Sequence, residues 1–450
     1  MKINYTICSS LAVLLLCFCT VGHSQDDAVS MVLDILKSGD QEMQAVAISM
    51  VKDMPGEEVT KALAAELPGL SPTSQVQLLS ALGDRGDAAA RPAVVTAAKS
   101  EDQSVRIAAF RALGQLGDDT SVVLLAQAAA GAKGAEQKAA RDSLYRLRGP
   151  KVDQVILDEI PKAEAGAKVE LISSMGERNI SAGVAPLLKT AKDSDRKVRT
   201  ESFRVLKVIA SPEHLPDLVR LLIEAKSSSD RSECQKTVAA VAHKIEDKSS
   251  QAQAVLTVLP TVKQTRSRCS LLGVLGKIGD NKALPVLTAA MKEKDPEIQT
   301  AAIRSLAEWP TPEPLLDLLK VAEGSQNKLH RILALRGFVR LLGLDNKRPA
   351  EKTIEMYKKA MSLAPDAGEK KRVLSGLANA KSRGALEMAT AYLEDESLSR
   401  EAEYAVVKIA EGIGADFPEL AKDTLKKIIK ATKNNTLREQ AQESLDKMEQ

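Results

Sequence analysis

Aromatic side chains are scarce in this chain. Phe, Trp and Tyr make up 2% of its 450 residues, whereas Ala and Leu are abundant. Because strands prefer aromatic and β-branched side chains, this composition favours closely packed helices over sheets. The scarcity also argues against a surface on which sugar rings stack. The chain is therefore predicted to be all-α, either as two or three compact domains or as one extended array.

Residues that carry metal, redox or nucleophilic chemistry are also few. Only Cys234 and Cys269 lie beyond residue 24, and the three histidines there (His214, His243 and His330) show no spacing suited to a shared metal. The chain has no H-E-x-x-H, C-x-x-C-H, G-x-S-x-G or G-x-x-x-x-G-K-[ST] string. We expect no cofactor, no metal site, no small-molecule ligand and no catalytic residues. The histidines are predicted to lie on helix surfaces or repeat edges.

Charge and hydropathy also limit the classes of protein. The 63 basic and 60 acidic residues give a net charge of +3, which gives no support for a nucleic-acid or membrane-surface role. The main apolar run, residues 11–19, follows Lys2 and precedes the Gly-His-Ser at residues 22–24. This layout predicts a signal peptide over residues 1–24, cleaved after Ser24, because a membrane span needs about 20 apolar residues. The mature chain is predicted to be periplasmic or extracellular.

A repeated unit dominates the rest of the sequence. The string SVRIAAFRALGQLGD at residues 104–118 returns in about thirteen copies, mostly 31 to 33 residues apart. Ala109, Ala112, Leu113 and Leu116 are spaced by three and four, which places them on one stripe of a helix. No position equivalent to Leu113 is polar; they are Val51, Leu82, Leu113, Leu144, Met175, Leu206, Ala242, Leu275, Leu306, Phe338, Leu377, Val406 and Leu445. This helix is predicted to bury one side against its neighbours.

Each such helix follows another predicted helix. The first helix of the unit often has an early proline, as at Pro92, Pro216 and Pro285, where a missing N–H costs nothing. Gly-Asp pairs at residues 86–87, 117–118 and 279–280 supply a glycine to end one helix and an aspartate to cap the next. The unit is therefore predicted to be helix, turn, helix, repeated about thirteen times.

A polar column near the start of the second helix admits two interpretations. The equivalents of Arg106 are long amides or bases in most copies: Gln44, Gln75, Gln137, Lys168, Arg199, Gln235, Arg268, Gln299, Arg331, Lys370 and Arg438. They could form a ladder of cations that binds a ligand. They could equally be structural, pairing with a capping aspartate such as Asp102 or with a neighbouring repeat. Recurrence in nearly every copy favours the structural interpretation, because a ligand site seldom needs the same residue in each repeat.

The motif V-R-x-x-A-x-x-A-L-G-x-L-G-D at a period near 31 resembles HEAT repeats, in particular the short HEAT-like type first associated with phycobilisome lyases. The likeness is strongest over residues 102–118, 195–210 and 267–280 and looser over 30–65 and 343–450. It implies a right-handed α-α superhelix, a HEAT/armadillo-like solenoid, that works as a protein-binding scaffold without a shared catalytic set. We expect a solenoid over residues 25–342, continued by degenerate repeats over 343–450. The spacing stretches at a predicted polar loop, residues 224–231, and before a longer helix, residues 351–363.

In such a solenoid the second helices line the concave surface, and the positions equivalent to Arg111 and Gln115 point away from the core. Seven of these positions are predicted to form a basic binding stripe: Arg111, Arg204, Arg304, Arg336, Arg340, Lys244 and Lys277. A partner with an acidic or polar protein surface would dock there. The alternative is an ordinary solvated helix face, interrupted by Asp53, Asp84, Asp142 and Glu177; alternating charge on exposed helices is common.

Cys234 and Cys269 map to neighbouring repeats. Packed helices lie about 8–10 Å apart, whereas a disulfide needs Cα atoms about 4.4–6.8 Å apart. A bond would need a locally tight contact, so two buried thiols are the favoured prediction.

Taken together, the sequence predicts an exported, non-catalytic scaffold that binds a protein partner. The alternatives are an accessory or regulatory module of a secreted enzyme system, with sugar-hydrolase-like or haem-c partners, and a lyase-like HEAT protein that attaches a pigment. The sequence has neither a haem motif nor a β-rich segment. Export would also argue against pigment attachment in a cytoplasm.

Overall fold

The computed structural model describes residues 25–344 and 347–449 of the chain. Within these ranges it contains 26 α-helices and no strand. The helices follow one another as a first and a second helix, which gives the thirteen pairs that the repeat predicts. The all-α prediction is therefore confirmed. The predicted signal peptide, residues 1–24, lies outside the described residues.

The chain divides into two compact units, Met1–Ala210 and Ser211–Gln450. The first unit holds six helix pairs. Its first helices are α1 (Gln25–Lys37), α3 (Glu57–Ala65), α5 (Arg91–Ala97), α7 (Val122–Gly131), α9 (Val152–Glu159) and α11 (Val184–Thr190). Its second helices are α2 (Gln41–Met50), α4 (Pro72–Arg85), α6 (Gln103–Leu116), α8 (Gly134–Arg146), α10 (Ala165–Glu177) and α12 (Arg196–Ile209).

The second unit holds seven helix pairs. Its first helices are α13 (Leu215–Glu224), α15 (Gln253–Val258), α17 (Leu284–Ala290), α19 (Leu315–Gly324), α21 (Ala350–Leu363), α23 (Arg383–Thr390) and α25 (Pro418–Ala431). Its second helices are α14 (Ser228–Ala242), α16 (Thr265–Ile278), α18 (Pro296–Ala307), α20 (Lys328–Leu342), α22 (Ala367–Leu377), α24 (Ser399–Ile413) and α26 (Asn435–Glu449). The predicted longer helix over residues 351–363 is confirmed as α21.

Side-chain caps fix where the second helices begin. Asp102 accepts hydrogen bonds from the backbone N–H groups of Ser104, at 2.8 Å, and Val105, at 3.2 Å. Asp40, Asp195, Asp295 and Asp366 cap their helices in the same way. These bonds satisfy N–H groups that have no partner inside the helix. The start of each of these helices is thus set locally, by one residue of its own repeat, whereas α8, α10, α16 and α24 begin without a side-chain cap.

The column that defines the repeat is the core of each unit. All thirteen equivalents of Leu113 are buried, twelve of them at 0% exposure and Leu445, in the last helix, at 5%. Within each unit every second helix packs against the first helix of its own pair and against the second helix of the next pair. Apolar burial is therefore distributed along the row, repeat by repeat.

The predicted loop at residues 224–231 is shorter than expected. Helix α13 ends at Glu224 and α14 begins at Ser228, because the Ser227 hydroxyl accepts a hydrogen bond from the Asp230 N–H at 3.0 Å. Residues 228–231 therefore add a helical turn to α14. The loop prediction was wrong for residues 228–231, because serine favours helix starts as well as loops.

The two cysteines are free, as favoured from their spacing. Cys234 is buried in α14, and Cys269, in α16, is partly exposed. Burial raises the pKa of the Cys234 thiol well above its ordinary range and that of Cys269 to about 11. Both thiols are therefore protonated and weakly nucleophilic at neutral pH.

Candidate interaction surface

The polar column at the start of the second helices has a structural role. Gln44 donates from Nε2 to the Leu36 carbonyl at 2.7 Å, and Gln137 donates to the Ala129 carbonyl at 2.9 Å. Each acceptor lies in the last turn of the preceding first helix, where carbonyl oxygens lack intrahelical partners. Arg331 does the same for the loop before α20, with a 2.8 Å bond to the Ser325 carbonyl. The column therefore ties the two helices of a pair together, as the structural interpretation expected.

One copy departs from the sequence alignment. In α14 the carbonyls before the helix are bound by Arg231, whose Nη1 lies 2.7 Å from the Lys226 carbonyl oxygen. Gln235, the residue aligned with Arg106, instead donates to the Ser270 carbonyl in α16 at 3.0 Å. The cause is the additional turn of α14, which moves the helix start by four residues while the buried positions keep their register.

A second set of polar contacts joins successive second helices. Three acidic residues, Glu136, Glu170 and Glu369, are buried, and each accepts hydrogen bonds from an arginine one repeat earlier. Arg106 Nε lies 2.6 Å from Glu136, Arg141 Nε lies 2.7 Å from Glu170, and Arg336 Nε lies 3.0 Å from Glu369. The guanidinium of Arg106 holds the pKa of the Glu136 carboxyl below its ordinary value of 4.5. In each pair a buried carboxylate is matched by an arginine whose side chain stays partly exposed.

The seven residues of the predicted binding stripe are all exposed. Six lie on second helices, and Lys244 lies in the turn just after α14; the six are Arg111, Arg204, Lys277, Arg304, Arg336 and Arg340. Five of the seven lie in the second unit. The four acidic residues expected to interrupt the stripe (Asp53, Asp84, Asp142 and Glu177) all lie in the first unit. The basic character of the stripe is therefore concentrated in the second unit.

Several of these cations already have structural partners. Arg204 lies 2.6 Å from Glu201 on the same helix, Lys277 lies 3.9 Å from Glu308, and Arg336 binds Glu369. Arg340 donates from Nε to the Ala307 carbonyl at 2.7 Å and also contacts the Trp309 carbonyl oxygen.

Arg111 and Arg304 differ from the other five residues of the stripe. Within the described part of the chain, neither side chain has a hydrogen bond or an ion pair. These two are the predicted cations most available to a partner.

Two grooves cross this face in the second unit. One, of about 410 Å³, is lined by Arg336, Arg340, Leu344, Arg372 and Ser375, among others. The other, of about 610 Å³, is lined by residues of α22, α24 and α26 and includes Ser375, Tyr404 and Lys408. Ser375 lines both, so the two grooves are neighbours on this face.

Sequence reasoning missed Arg372 and Tyr404. Arg372 lies three residues before Ser375, the equivalent of Arg111, so the helix period could have placed it on the same face. Tyr404 occupies the column of Arg111 itself, but the predicted stripe included only basic side chains.

Metal and membrane signatures are missing from the described ranges. No group of three or more His, Cys, Asp or Glu side chains in them could hold a metal ion. Nor is any helix there long and apolar enough to cross a membrane. The histidines stay apart: His243 contacts the Ile278 carbonyl at 3.0 Å, and His330 contacts the Thr300 hydroxyl at 2.8 Å. His330, which belongs to α20, is buried against α18 and does not lie on a helix surface or repeat edge as predicted. Its burial is tolerated because the Thr300 hydroxyl is a hydrogen-bond partner for its ring nitrogen.

Comparison with known proteins identifies the repeats. HEAT repeats match residues 60–144 and 263–338. The search of curated proteins gave no match. The fold is similar to that of the karyopherin Kap121p bound to the SUMO protease Ulp1p, with a TM-score of 0.56 and 12% identity over 93% of this chain and 53% of that one.

A second structure, Kap121p bound to Ste12p, gives a TM-score of 0.54 and 12% identity over 94% of this chain and 53% of that one. This chain thus spans about half the length of the karyopherin structures it matches. The likeness establishes the fold, a HEAT-type solenoid.

Proposed function

We propose that this protein is an exported, non-catalytic scaffold that binds a protein partner on the exposed face of its second helices. The observation that carries the proposal is that cations, exposed apolar side chains and two neighbouring grooves lie together on one face of the second unit. Concave surfaces of stacked repeats suit extended protein contacts. In the two karyopherin structures Kap121p is bound to another protein, Ulp1p or Ste12p, which supports a binding role for this fold.

The repeats are further proposed to be of the short HEAT-like type first associated with phycobilisome lyases. Five consecutive core positions support this, since Leu82, Leu113, Leu144, Met175 and Leu206 are each separated by 31 residues. Nothing in the described residues points to a pigment site. A purified chain that bound a bilin, or hydrolysed a glycoside by itself, would contradict the non-catalytic proposal.

Site-specific photo-crosslinking tests the binding face. The photoreactive residue p-benzoylphenylalanine would replace Arg111 or Arg304 on second helices and, as matched controls, Arg220 or Arg383 on first helices. Irradiation of the native exported fraction should capture the partner at Arg111 or Arg304 and not at the controls. Capture only at Arg220 or Arg383 would place the interface on the opposite face. Capture at none of the four positions would contradict a scaffold role.

Export is proposed from the sequence alone and needs its own test. Protein recovered from outside the cytoplasm should begin at Gln25, as read by N-terminal sequencing. A chain that keeps Met1 and stays in the cytoplasm would contradict export and leave the binding proposal intact.

A further inference from the structure

The groove between α20 and α22 has an unusual charge. Three arginines line it, Arg336, Arg340 and Arg372, and the described lining residues include no carboxylate. Glu369 binds Arg336 through both carboxylate oxygens at 3.0 Å and lies 3.8 Å from Arg372, so two of the guanidinium groups share this carboxylate. Arg340 donates its hydrogen bonds to carbonyl oxygens instead, and Glu308 is the carboxylate that interacts with it through charge. We call this cluster the arginine groove.

We propose that the arginine groove binds an acidic, extended segment of the protein partner. This inference rests on the proposed scaffold function and specifies the chemistry of the partner. Charge complementarity carries it, since a cleft whose described lining includes three guanidinium groups and no carboxylate favours carboxylates of a partner over neutral or basic side chains.

The guanidinium groups are held in place before any partner binds. Arg340 is fixed by the carbonyl groups of Ala307 and Trp309, which accept its hydrogen bonds without cancelling its charge. Arg336 is fixed by Glu369. A cation whose side chain is already ordered loses little entropy when it binds a carboxylate.

The shape of the groove suits an extended chain. Its wall includes Val339 and Leu344, and Leu344 is 44% exposed, so an apolar side chain has a place beside the carboxylates. Adjacent helices lie about 8–10 Å apart, so the distance from Arg304 on α18 to Tyr404 on α24 is on the order of 30 Å. An extended peptide of about nine residues spans that distance.

A nucleic acid fits this surface less well than a peptide does. Beyond Ser375 the second groove mixes Lys408 and Lys447 with Glu411 and Glu443, so the positive potential is confined to one end. A phosphate backbone carries charge at every nucleotide and would meet these carboxylates.

The test uses charge reversal at two arginines: Arg304, whose side chain has no hydrogen bond or ion pair among the described residues, and Arg372, whose described ion pair is the 3.8 Å contact with Glu369. The groove variant is Arg304→Glu with Arg372→Glu; the Arg372 side chain is 60% exposed, and Glu369 keeps Arg336 as its partner. The control variant is Arg220→Glu with Arg383→Glu, at first-helix side chains that are 68% and 67% exposed. Both variants change the net charge of the chain equally, so they separate a local effect from a global one.

The probe is a fluorescein-labelled peptide of about nine residues, with several aspartates and one leucine in a Gly-Ser background, measured by fluorescence anisotropy at about 0.15 M salt. The full mature chain should bind it at least about tenfold more tightly than the peptide with asparagine at every aspartate. The groove variant should lose at least about tenfold in affinity, and the control variant less than about twofold.

Four results would overturn the proposal: equal binding of the asparagine peptide, equal loss in both variants, tighter binding of a single-stranded oligonucleotide than of the aspartate peptide, or a groove-dependent self-association in sedimentation. The first two would show that the groove does not select carboxylates. The third and fourth would assign the groove to a nucleic acid or to a second copy of this chain.

Failure of the acidic-segment proposal can be distinguished from failure of the scaffold function. If the natural partner still crosslinks at residue 304 but the aspartate peptide does not bind, the scaffold function stands and the acidic partner is wrong. If neither occurs, both are wrong.

Discussion

Two successive second helices, α18 and α20, approach each other closely at Gly337, and this contact leads to a specific prediction. A Cβ added there would lie 2.5 Å from Ala307 Cβ and 2.7 Å from Ala307 Cα, where ordinary contacts are 3.4 Å or longer. Since the Cα atom belongs to the backbone of α18, no side-chain rotation relieves the clash. Helices α18 and α20 must separate by about 1 Å in Gly337→Ala.

The expected cost follows from two opposing terms. Overpacking a tight interface costs about 1–3 kcal/mol, and replacing a helical glycine with alanine returns about 0.5–1 kcal/mol. The variant should therefore be less stable than the native chain by about 1–2 kcal/mol. Separation of α18 from α20 would also lengthen the bonds from Arg340 to the carbonyls of Ala307 and Trp309.

Amide hydrogen exchange is the appropriate assay, because a chain of two units and many repeats does not unfold in a single step. A loss of about 1–2 kcal/mol should speed exchange in α18 and α20 by about 5- to 30-fold. Helices of the first unit should exchange as in the native chain, since each repeat depends on its neighbours.

Gly324→Ala is the control for this prediction. It lies at the end of α19 in the same unit, and an added Cβ meets nothing within 4 Å. Its exchange should be unchanged or slightly slower. If Gly337→Ala exchanged like Gly324→Ala, or if protection fell throughout the chain, the reasoning from local close packing would be refuted.

Three further predictions concern polar and thiol groups. Because Arg106 lowers the pKa of Glu136 below 4.5, their pair stabilises the first unit fully above that pH and progressively less as the pH falls below it. Urea unfolding between about pH 6 and about pH 3 should show this loss, and Glu136→Gln should show a smaller one. Denatured protein that has not been reduced should take up iodoacetamide at both Cys234 and Cys269; a mass showing an intact disulfide would contradict the structure. Arg331→Met should lower the free energy of unfolding by about 1 kcal/mol in a denaturant titration, and no change would mean that its bonds to carbonyl groups are replaced by water.

Much of the fold could be predicted because its physical determinants are local. A stripe of apolar residues at helical spacing has one low-energy outcome in water, and its repetition at a fixed period dictates that neighbours cover one another. The Leu113 column therefore identified all thirteen second helices. The capping aspartates, of which Asp102 is an example, are equally local, since each acts on N–H groups two or three residues away.

What could not be predicted depends on contacts between repeats. Glu369 looks in sequence like any carboxylate in a first helical turn, and only the neighbouring helix reveals that Arg336 covers it. The exchange of roles between Gln235 and Arg231 has the same origin. It depends on where α14 starts, and a serine at residue 227 is compatible with a loop or a cap. The grooves depend on side chains from several repeats at once.

The polar columns also explain where a scaffold of this kind has freedom to acquire a function. Positions occupied by similar residues in every repeat, such as that of Arg106, bind carbonyl groups or neighbouring acids and cannot change without loss of stability. The column of Arg111 has no such bond in common: Arg336 binds Glu369, but the side chains of Arg111 and Arg304 have no partner among the described residues, and the column varies from serine to arginine to tyrosine. At Arg304, stability therefore gives no reason for a cation. Recognition of a partner does, and this is why the second unit is the place to seek it.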